Sequence, residues 1–197
     1  MKKRVLAFLM ALGVAASMTT AISAAEAPAK KKKITPQALY VTAKEAHDMV
    51  SKEGDKILFV DTRTPEEVYF VGMPEGLDKN IPIAYVDYGK IKEKKGKAKF
   101  ASKMNKNFVP QVEAALKAKG LGKDDKIVLI CRSGGRSATA AKKLDKVGYK
   151  NIYTVVDGFE GDKSKDKKLR TVNGWKNAGL PYTYKFNKDI YVDLDGK

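Results

Sequence analysis

The sequence predicts an α/β domain in which a central parallel sheet carries helices on both faces. Its 197 residues fit one domain with extensions. Three short apolar runs that do not alternate, at 57–60, 126–130 and 152–156, are typical of strands buried on both faces of a sheet. Segments with helical periodicity separate these runs, and strands that alternate with helices favour a parallel arrangement.

Helix start signals place the first two helices. Thr42 and Glu45 form a capping box, and the helix that they begin ends at Gly54. Thr64 followed by Pro65 starts a second, shorter helix. The other predicted elements, in chain order, are a strand at 39–41, an edge strand at 81–83, a helix at 110–119 and a helix from Ser137 to about Val147.

The N-terminus has the features of a secretory signal peptide over residues 1–25. A basic start is followed by an apolar run at 5–16, which is too short to span a bilayer, and then by small residues before Glu26. We therefore expect a periplasmic or secreted protein with no membrane span after cleavage. Next come a solvated basic linker (26–37), the folded domain (38–183) and a C-terminal tail (184–197).

The net charge of +16 favours anionic partners. An exported basic protein faces small anions, anionic lipid or polysaccharide rather than nucleic acid, so we expect no nucleic-acid partner. Much of the charge lies in two lysine-rich insertions, near 88–107 and 162–172, which we interpret as solvated. Two roles for them stay open, because such charge either steers anions to the domain or only keeps it soluble.

The counts of one cysteine and one histidine exclude several kinds of site. They rule out an internal disulfide, a Cys-x-x-Cys redox pair and a zinc cluster of cysteines and histidines.

The richest pattern is the segment that follows the second apolar run. Cys131 comes directly after this strand, and ligands of open α/β sheets bind at the carboxyl ends of strands. Gly134 and Gly135 allow the backbone N–H groups to converge, while Arg132 and Arg136 add positive charge. The N-terminus of the next helix adds a partial positive charge, and all these features favour a thiolate with an anion beside it.

Cys131 has three alternative interpretations. A buried structural cysteine is common, but two glycines and two arginines in five residues make poor core material. A Cys–His hydrolase needs a base, and His47 lies in the wrong segment for one. Cysteine phosphatases and arsenate reductase-like enzymes use a Cys-x5-Arg loop, whereas here four residues separate Cys131 from Arg136 and Ser137 stands where the phosphatase arginine would be.

The segment Cys131–Ser137, with the sequence Cys-Arg-Ser-Gly-Gly-Arg-Ser, resembles the active-site loop of the rhodanese (sulfurtransferase) domain. The segment 57–67, which contains Asp61 and Arg63, resembles the family's Asp-x-Arg-x-x-x-Glu motif. Weaker likenesses lie at 149–161, at Trp175 and at 179–181, so that the resemblance spans roughly 38–183. The chain departs from the family in the two insertions and in Gly72-Met73-Pro74, where Gly-His-Ile-Pro is common.

This resemblance implies a sulfurtransferase with a catalytic Cys131, which takes sulfane sulfur from thiosulfate, polysulfide or a similar donor as a persulfide. Cyanide, a thiol or an acceptor protein then collects the sulfur. Asp61 and Arg63 would brace the loop, and no metal or organic cofactor would be needed. The residues that would bind substrate are Arg132, Ser133, Gly134, Gly135, Arg136 and Ser137. Arg132 and Arg136 would hold the anionic donor, and Arg136 would do so through two of its guanidinium N–H groups. A carrier that hands persulfide sulfur to a partner without turnover is the alternative.

Overall fold

The computed structural model describes residues 25–94, 96–185 and 187–192. The predicted signal peptide therefore lies outside the described residues, except for Ala25. In chain order the elements are β1 Tyr40–Val41, α1 Ala43–Glu53, β2 Ile57–Asp61, α2 Pro65–Val71, β3 Met73–Pro74, β4 Lys79–Asn80, β5 Ala84–Lys94, β6 Lys97–Met104, α3 Phe108–Ala118, β7 Lys126–Ile130, α4 Gly135–Asp145, β8 Ile152–Val155 and β9 Tyr182–Thr183.

Five of these strands form one parallel sheet with the order β1-β8-β7-β2-β4. The predicted fold class is confirmed. β7 is the central strand, and its last residue, Ile130, pairs with Asp61 at the end of β2. The carboxyl ends of β2 and β7 therefore meet at the same edge of the sheet, which places Asp61 next to the start of the cysteine loop.

Each face of the sheet is covered by its own pair of helices. Alternate residues of β2 point to opposite faces, so Leu58 packs with α3 and α4 while Phe59 packs with α1 and α2. The sheet residues of β2 and β7 are buried on both faces, which explains why their sequences are continuously apolar. The two resulting cores hold the strand ends in fixed positions.

The helix start signals are confirmed for the first two helices. Thr42 caps α1 with Glu45 in a reciprocal capping box, and Thr64 caps α2 with Glu67 in the same way. The prediction for α4 was wrong by two residues, since the helix begins at Gly135 rather than near Ser137.

The edge strand predicted at 81–83 lies two residues earlier, at Lys79–Asn80. Ile81 and Ile83 are buried in the core but lie outside the strand. Pro82 between them has no N–H with which to extend the ladder.

The segment 26–37 was predicted to be a solvated linker, and this was wrong for its C-terminal part. Lys31–Lys33 form a 3₁₀ turn, and the Lys33 side chain is only 7% exposed. Its ammonium donates a hydrogen bond of 2.8 Å to the carbonyl of Val156. Lysine stems bury well against apolar surface when the ammonium finds an acceptor, so this segment packs onto the domain.

The predicted tail from residue 184 also contacts the domain. Tyr191 forms a parallel bridge with Asn80 at the β4 edge of the sheet, and Ile190 packs against the core. Before it, β9 pairs with β3 in a separate two-stranded sheet. Tyr191 thus covers part of an otherwise open sheet edge.

The first lysine-rich insertion is an ordered hairpin rather than an irregular loop. β5 and β6 pair antiparallel from Ala84–Met104 to Lys94–Lys97, with an irregularity between Asp87 and Ile91. Its side chains are largely exposed, as predicted, but its base contributes the buried Ala101. In the second insertion, Lys163 forms a bridge with Arg170.

No helix within the described part of the chain has the length and apolar character needed to cross a membrane.

Candidate active site

Cys131 lies immediately after β7, the central strand of the sheet, and is a free thiol with 1% of its surface exposed. The thiol therefore lies at the edge where α/β domains bind their ligands. The residues after it turn directly into α4, which begins four residues later at Gly135.

Gly134 makes this turn possible. It is the N-cap of α4 and has a left-handed backbone, with φ of 80°. A Cβ atom here would lie 2.3 Å from the carbonyl oxygen of Val156, far inside contact distance. Gly135 is the first residue of α4, so the two glycines form the helix N-terminus and not a separate loop before it. The free N–H groups of the first turn of α4 are thus next to Cys131 in the chain.

A second loop, residues 157–161, holds the backbone of the cysteine loop in place. The N–H of Phe159 donates to the carbonyl of Cys131 at 2.7 Å, and the N–H of Glu160 donates to the carbonyl of Arg132 at 3.0 Å. A Cβ atom at Gly158 would lie 2.4 Å from the Cys131 carbonyl oxygen. The two loops therefore pack backbone against backbone, and these contacts fix the position of Cys131 through its main-chain carbonyl.

Asp61 and Arg63, predicted to brace the loop, form a fully buried ion pair at the end of β2. Arg63 Nη2 lies 2.6 Å from Asp61 Oδ2 and also donates to the carbonyl of Gly72 at 2.8 Å. The guanidinium carbon lies 4.2 Å from the centre of the Phe159 ring. Arg63 thus contacts the loop that hydrogen bonds to Cys131, and its action on the thiol would be indirect. The side-chain amide of Asn80 donates to the carbonyls of both Asp61 and Arg63.

The guanidinium of Arg136 makes the bidentate contact that was predicted for a donor anion, but its partner is the Glu67 carboxylate of α2. Nη2 lies 2.7 Å from Oε1, and Nη1 donates to Oε2. Burial would raise the pKa of Glu67, but the hydrogen bond and charge of Arg136 outweigh it and hold this pKa below its usual value. Burial would lower the pKa of Arg136, but Glu67 and the nearby Cys131 and Asp61 raise it. An anion at this point would share Arg136 with Glu67.

The remaining predicted site residues differ in their exposure. The Arg132 side chain is exposed, and within the described residues it makes no hydrogen bond or ion pair. Ser133 is partly buried. Ser137 is fully buried in α4, and among the described residues its hydroxyl has no hydrogen-bond partner. Arg132 thus offers an unpaired cation to an incoming anion, and Ser137 keeps a hydroxyl without a described partner in the first turn of α4.

A pocket of about 460 Å³ opens against the loop, with the hairpin as its outer wall. Arg132 and Arg136 line it from the cysteine loop and α4, and Glu67 lines it from α2. The lining residues are Thr64, Glu67, Ala84, Tyr85, Val86, Ser102, Arg132 and Arg136. The base of the lysine-rich insertion is therefore part of the pocket, which its sequence did not suggest.

Sequence reasoning missed Glu67, Phe159 and Gly158 as parts of the site. In the sequence, Glu67 is the last residue of the family motif and the N3 residue of the capping box of α2, and both roles account for it without a contact to the cysteine loop. No local signal joins it to Arg136, which is 69 residues away. Gly158 and Phe159 follow β8, so their place beside Cys131 could have been expected from the meeting of neighbouring strand ends.

Comparisons with known proteins agree with this geometry. Residues 42–165 match the family model described as "Rhodanese-like domain". The "Uncharacterized protein RP600" of Rickettsia prowazekii is 33% identical over 144 residues, covering 73% of this chain and 96% of that protein. "Thiosulfate sulfurtransferase 16, chloroplastic" of Arabidopsis thaliana is 30% identical over 148 residues, covering 74% and 92%.

Among solved structures, Rv0390 from M. tuberculosis is similar in fold. Its TM-score is 0.52 at 29% identity, with 74% of this chain and 97% of that chain covered. The family match spans more than half of the described domain and includes β2, β7, β8 and the Cys131 loop. The chain belongs to the rhodanese-like domain family, a sulfurtransferase-type family.

Proposed function

We propose that the protein moves sulfane sulfur from thiosulfate, polysulfide or a similar anionic donor to a thiophilic acceptor through a Cys131 persulfide. The observation that carries the proposal is the position of Cys131, fixed at the carboxyl end of the central strand and followed at once by the N-terminus of α4. Membership in the rhodanese-like family supports the same chemistry.

In the first step, the Cys131 thiolate attacks the outer sulfur of thiosulfate. An S–S bond forms between Cys131 and that sulfur, and the S–S bond within thiosulfate breaks. The electron pair of the broken bond leaves with sulfite, and the enzyme keeps the negative charge on the terminal sulfur of the persulfide.

In the second step, cyanide or a thiolate attacks this terminal sulfur. The new bond to the acceptor forms as the S–S bond to Cys131 breaks, and its electron pair returns to Cys131 as thiolate. The product is thiocyanate or an acceptor persulfide, and the enzyme is restored without a net redox reagent.

The site residues have distinct roles in this scheme. The N–H groups of the first turn of α4 stabilise the negative terminal sulfur as an oxyanion hole stabilises oxygen. Arg132 attracts the donor anion, Arg136 orients the site through Glu67, and the free hydroxyl of Ser137 is a donor to sulfur. The buried pair of Asp61 and Arg63 keeps the loop rigid.

We further propose that the protein acts in the periplasm or is secreted, because residues 1–25 have the pattern of a cleavable signal peptide. Its substrates are then small anionic sulfur donors, together with thiol or cyanide acceptors or an acceptor protein, and not nucleic acid.

The test combines mass spectrometry with kinetics on the wild type and on Cys131→Ser. After thiosulfate is added without reductant, the wild type should gain about 32 Da, the mass of one sulfur atom, on Cys131. Thiosulfate:cyanide turnover should fall by roughly a thousandfold or more in Cys131→Ser, with an unchanged far-ultraviolet circular dichroism spectrum. Appreciable turnover in the folded variant would overturn the proposal. A persulfide that forms but is not released to cyanide would favour the carrier alternative.

A further inference from the structure

A group of large apolar side chains is exposed at the mouth of the pocket. We call it the mouth patch, and it comprises Tyr69 and Phe70 of α2 and Tyr88, Ile91 and Phe100 of the hairpin. Phe70 is 76% exposed and Ile91 is 64% exposed. Exposed apolar side chains that cluster in this way are typical of interaction sites, whereas single ones need no explanation.

Contacts between the side chains join the two halves of the patch. The Tyr88 ring packs edge-on against the Phe100 ring, with centroids 5.2 Å apart, and Ile91 is the cross-strand partner of Phe100. The Tyr88 hydroxyl donates to Glu66 on α2 at 3.2 Å. Phe70 lies one helical turn after Glu66, on the same side of α2. The patch therefore runs from α2 to the hairpin as one surface.

The patch adjoins the pocket that opens against the cysteine loop. Ser102, which lines the pocket, and Phe100 are two residues apart on β6, so they lie on the same face of the hairpin. On α2, Glu67 lines the pocket while Tyr69 and Phe70 follow within one turn. A macromolecule bound to the patch would lie over the entrance to the pocket.

The charge around the patch defines what it can bind. The segment 84–104 contains seven lysines and two acidic residues. On β6, Lys99 and Lys103 alternate with Phe100 and Ser102, so they extend from the opposite face, and Lys92 pairs with Lys99. These lysines lie behind the patch, across a hairpin only two strands wide, so their positive charge acts on a bound partner through its field rather than by direct contact. That field favours a partner that carries carboxylates and disfavours a basic one.

We propose that the mouth patch, together with the positive field of the hairpin lysines, docks an acidic acceptor protein, whose cysteine thiol enters the pocket and takes sulfur from the Cys131 persulfide. The inference rests on the proposed function for the identity of the transferred group. The acceptor thiolate attacks the terminal sulfur, the S–S bond to Cys131 breaks, and its electron pair returns to Cys131 while the acceptor becomes a persulfide. A protein is favoured over an anionic bilayer because only a protein presents a thiol on a segment narrow enough to enter a pocket of about 460 Å³.

Binding is tested first without chemistry, so that docking and sulfur transfer can fail separately. The protein carries Cys131→Ser. The probe is an acidic synthetic peptide of glutamate, aspartate, leucine and phenylalanine ending in glycine and cysteine, compared with an analogue in which glutamine and asparagine replace the acids. At low salt the acidic peptide should bind at least roughly fivefold more tightly than the neutral analogue. The triple variant Lys92→Gln/Lys99→Gln/Lys103→Gln should bind the two peptides equally.

A second pair of variants separates the apolar patch from the charge. Ile91→Ser/Phe100→Ser should weaken both peptides by roughly tenfold. The matched control, Leu169→Ser/Val172→Ser, changes two equally exposed apolar residues of the second insertion and should leave binding unchanged. Equal affinities for the two peptides, or equal losses in the two double variants, would overturn the proposal.

The kinetic arm uses wild-type Cys131 loaded with sulfur from thiosulfate and freed of excess donor. In single turnover, the acidic peptide should accept sulfur faster than the neutral analogue. 2-Mercaptoethanol, which attacks as a small thiolate and is too small to span the patch, should react with the wild type and with all three variants at rates that differ by no more than a few fold. Failure of persulfide formation with intact peptide binding would contradict the proposed function and not the docking surface.

A membrane is tested as the other occupant of the patch with vesicles that contain about one third phosphatidylglycerol. Docking of a protein would be overturned if the protein co-sediments with these vesicles, if Ile91→Ser/Phe100→Ser abolishes this co-sedimentation, and if the protein shows no preference for the acidic peptide.

Discussion

The cysteine loop and the hairpin β5–β6 border the same pocket but differ in almost every physical property. Cys131 is 1% exposed, and its backbone is held by hydrogen bonds from the 157–161 loop. Along the hairpin, lysines such as Lys92 and Lys99 are exposed and the ladder is interrupted between Asp87 and Ile91. A thiol that must meet a small donor in one geometry needs a rigid frame, whereas a surface that meets a partner needs exposed groups. The contrast separates the residues expected to set chemistry from those expected to set encounter.

The largest difference should appear when an alanine replaces one glycine in each region. Gly134→Ala places a Cβ 2.3 Å from the Val156 carbonyl oxygen in a left-handed backbone, so the free energy of unfolding should fall by roughly 3–5 kcal/mol. Gly96→Ala, at the hairpin turn, has the same sign of φ but no atom within 4 Å of the added Cβ, so it should cost only about 1 kcal/mol. Urea unfolding followed by the fluorescence of the single, buried Trp175 measures both. Similar losses in the two variants would mean that the loop is not the more constrained region.

The hydrophobic pattern and the helix caps made the frame of the site predictable. The strands β2, β7 and β8 are buried on both faces, so their continuous apolar sequences directly predict their burial. The capping boxes at Thr42 and Thr64 act over three residues and are visible locally. The place of Cys131 followed from β7 alone.

The parts that escaped prediction depend on contacts between distant segments. Lys33 is buried because its ammonium reaches the Val156 carbonyl, 123 residues away, and nothing in a run of four lysines singles it out. The hairpin was not predicted because its many lysines are typical of a solvated loop. The alternation of Lys97, Lys99 and Lys103 with smaller or apolar residues is nevertheless a strand signal. The pairing of Arg136 with Glu67 likewise needs the fold before it can be seen.

An intermediate effect is expected at the ion pair that joins the cysteine helix to α2. Glu67→Gln keeps the shape of the side chain but removes its charge, so it should cost roughly 1–2 kcal/mol at pH 7. The folded pKa of Glu67 lies below its unfolded value, so the stability it contributes is fully present above the unfolded pKa and is lost as the pH falls through the folded pKa. Urea unfolding of both proteins from pH 7 down to pH 3 should show the difference shrinking in the acid range. A difference that stays constant or grows in acid would show that the charge of Glu67 is not what matters.

The smallest effect is expected from the charge of the hairpin on the reaction with a small anion. Lys92→Gln/Lys99→Gln/Lys103→Gln should lower the second-order rate constant for persulfide formation from thiosulfate by only a few fold at low salt, because exposed charge is screened over about 8 Å at physiological salt. The rate constant of the wild type should fall as ionic strength rises, and the variant should show a flatter dependence with the same saturated rate.

The matched control for this change neutralises Lys142, Lys146 and Lys150, which are exposed at or beyond the C-terminal end of α4. α4 has 11 residues, so this end lies about 16 Å along the helix from the end next to Cys131, beyond one screening length. Stopped-flow kinetics over a salt series on the three proteins compares the slopes. If both variants flatten the slope equally, only the total charge matters. If neither differs from the wild type, the hairpin lysines do not steer small anions, and their position beside the mouth patch has to be explained by a larger partner or by solubility alone.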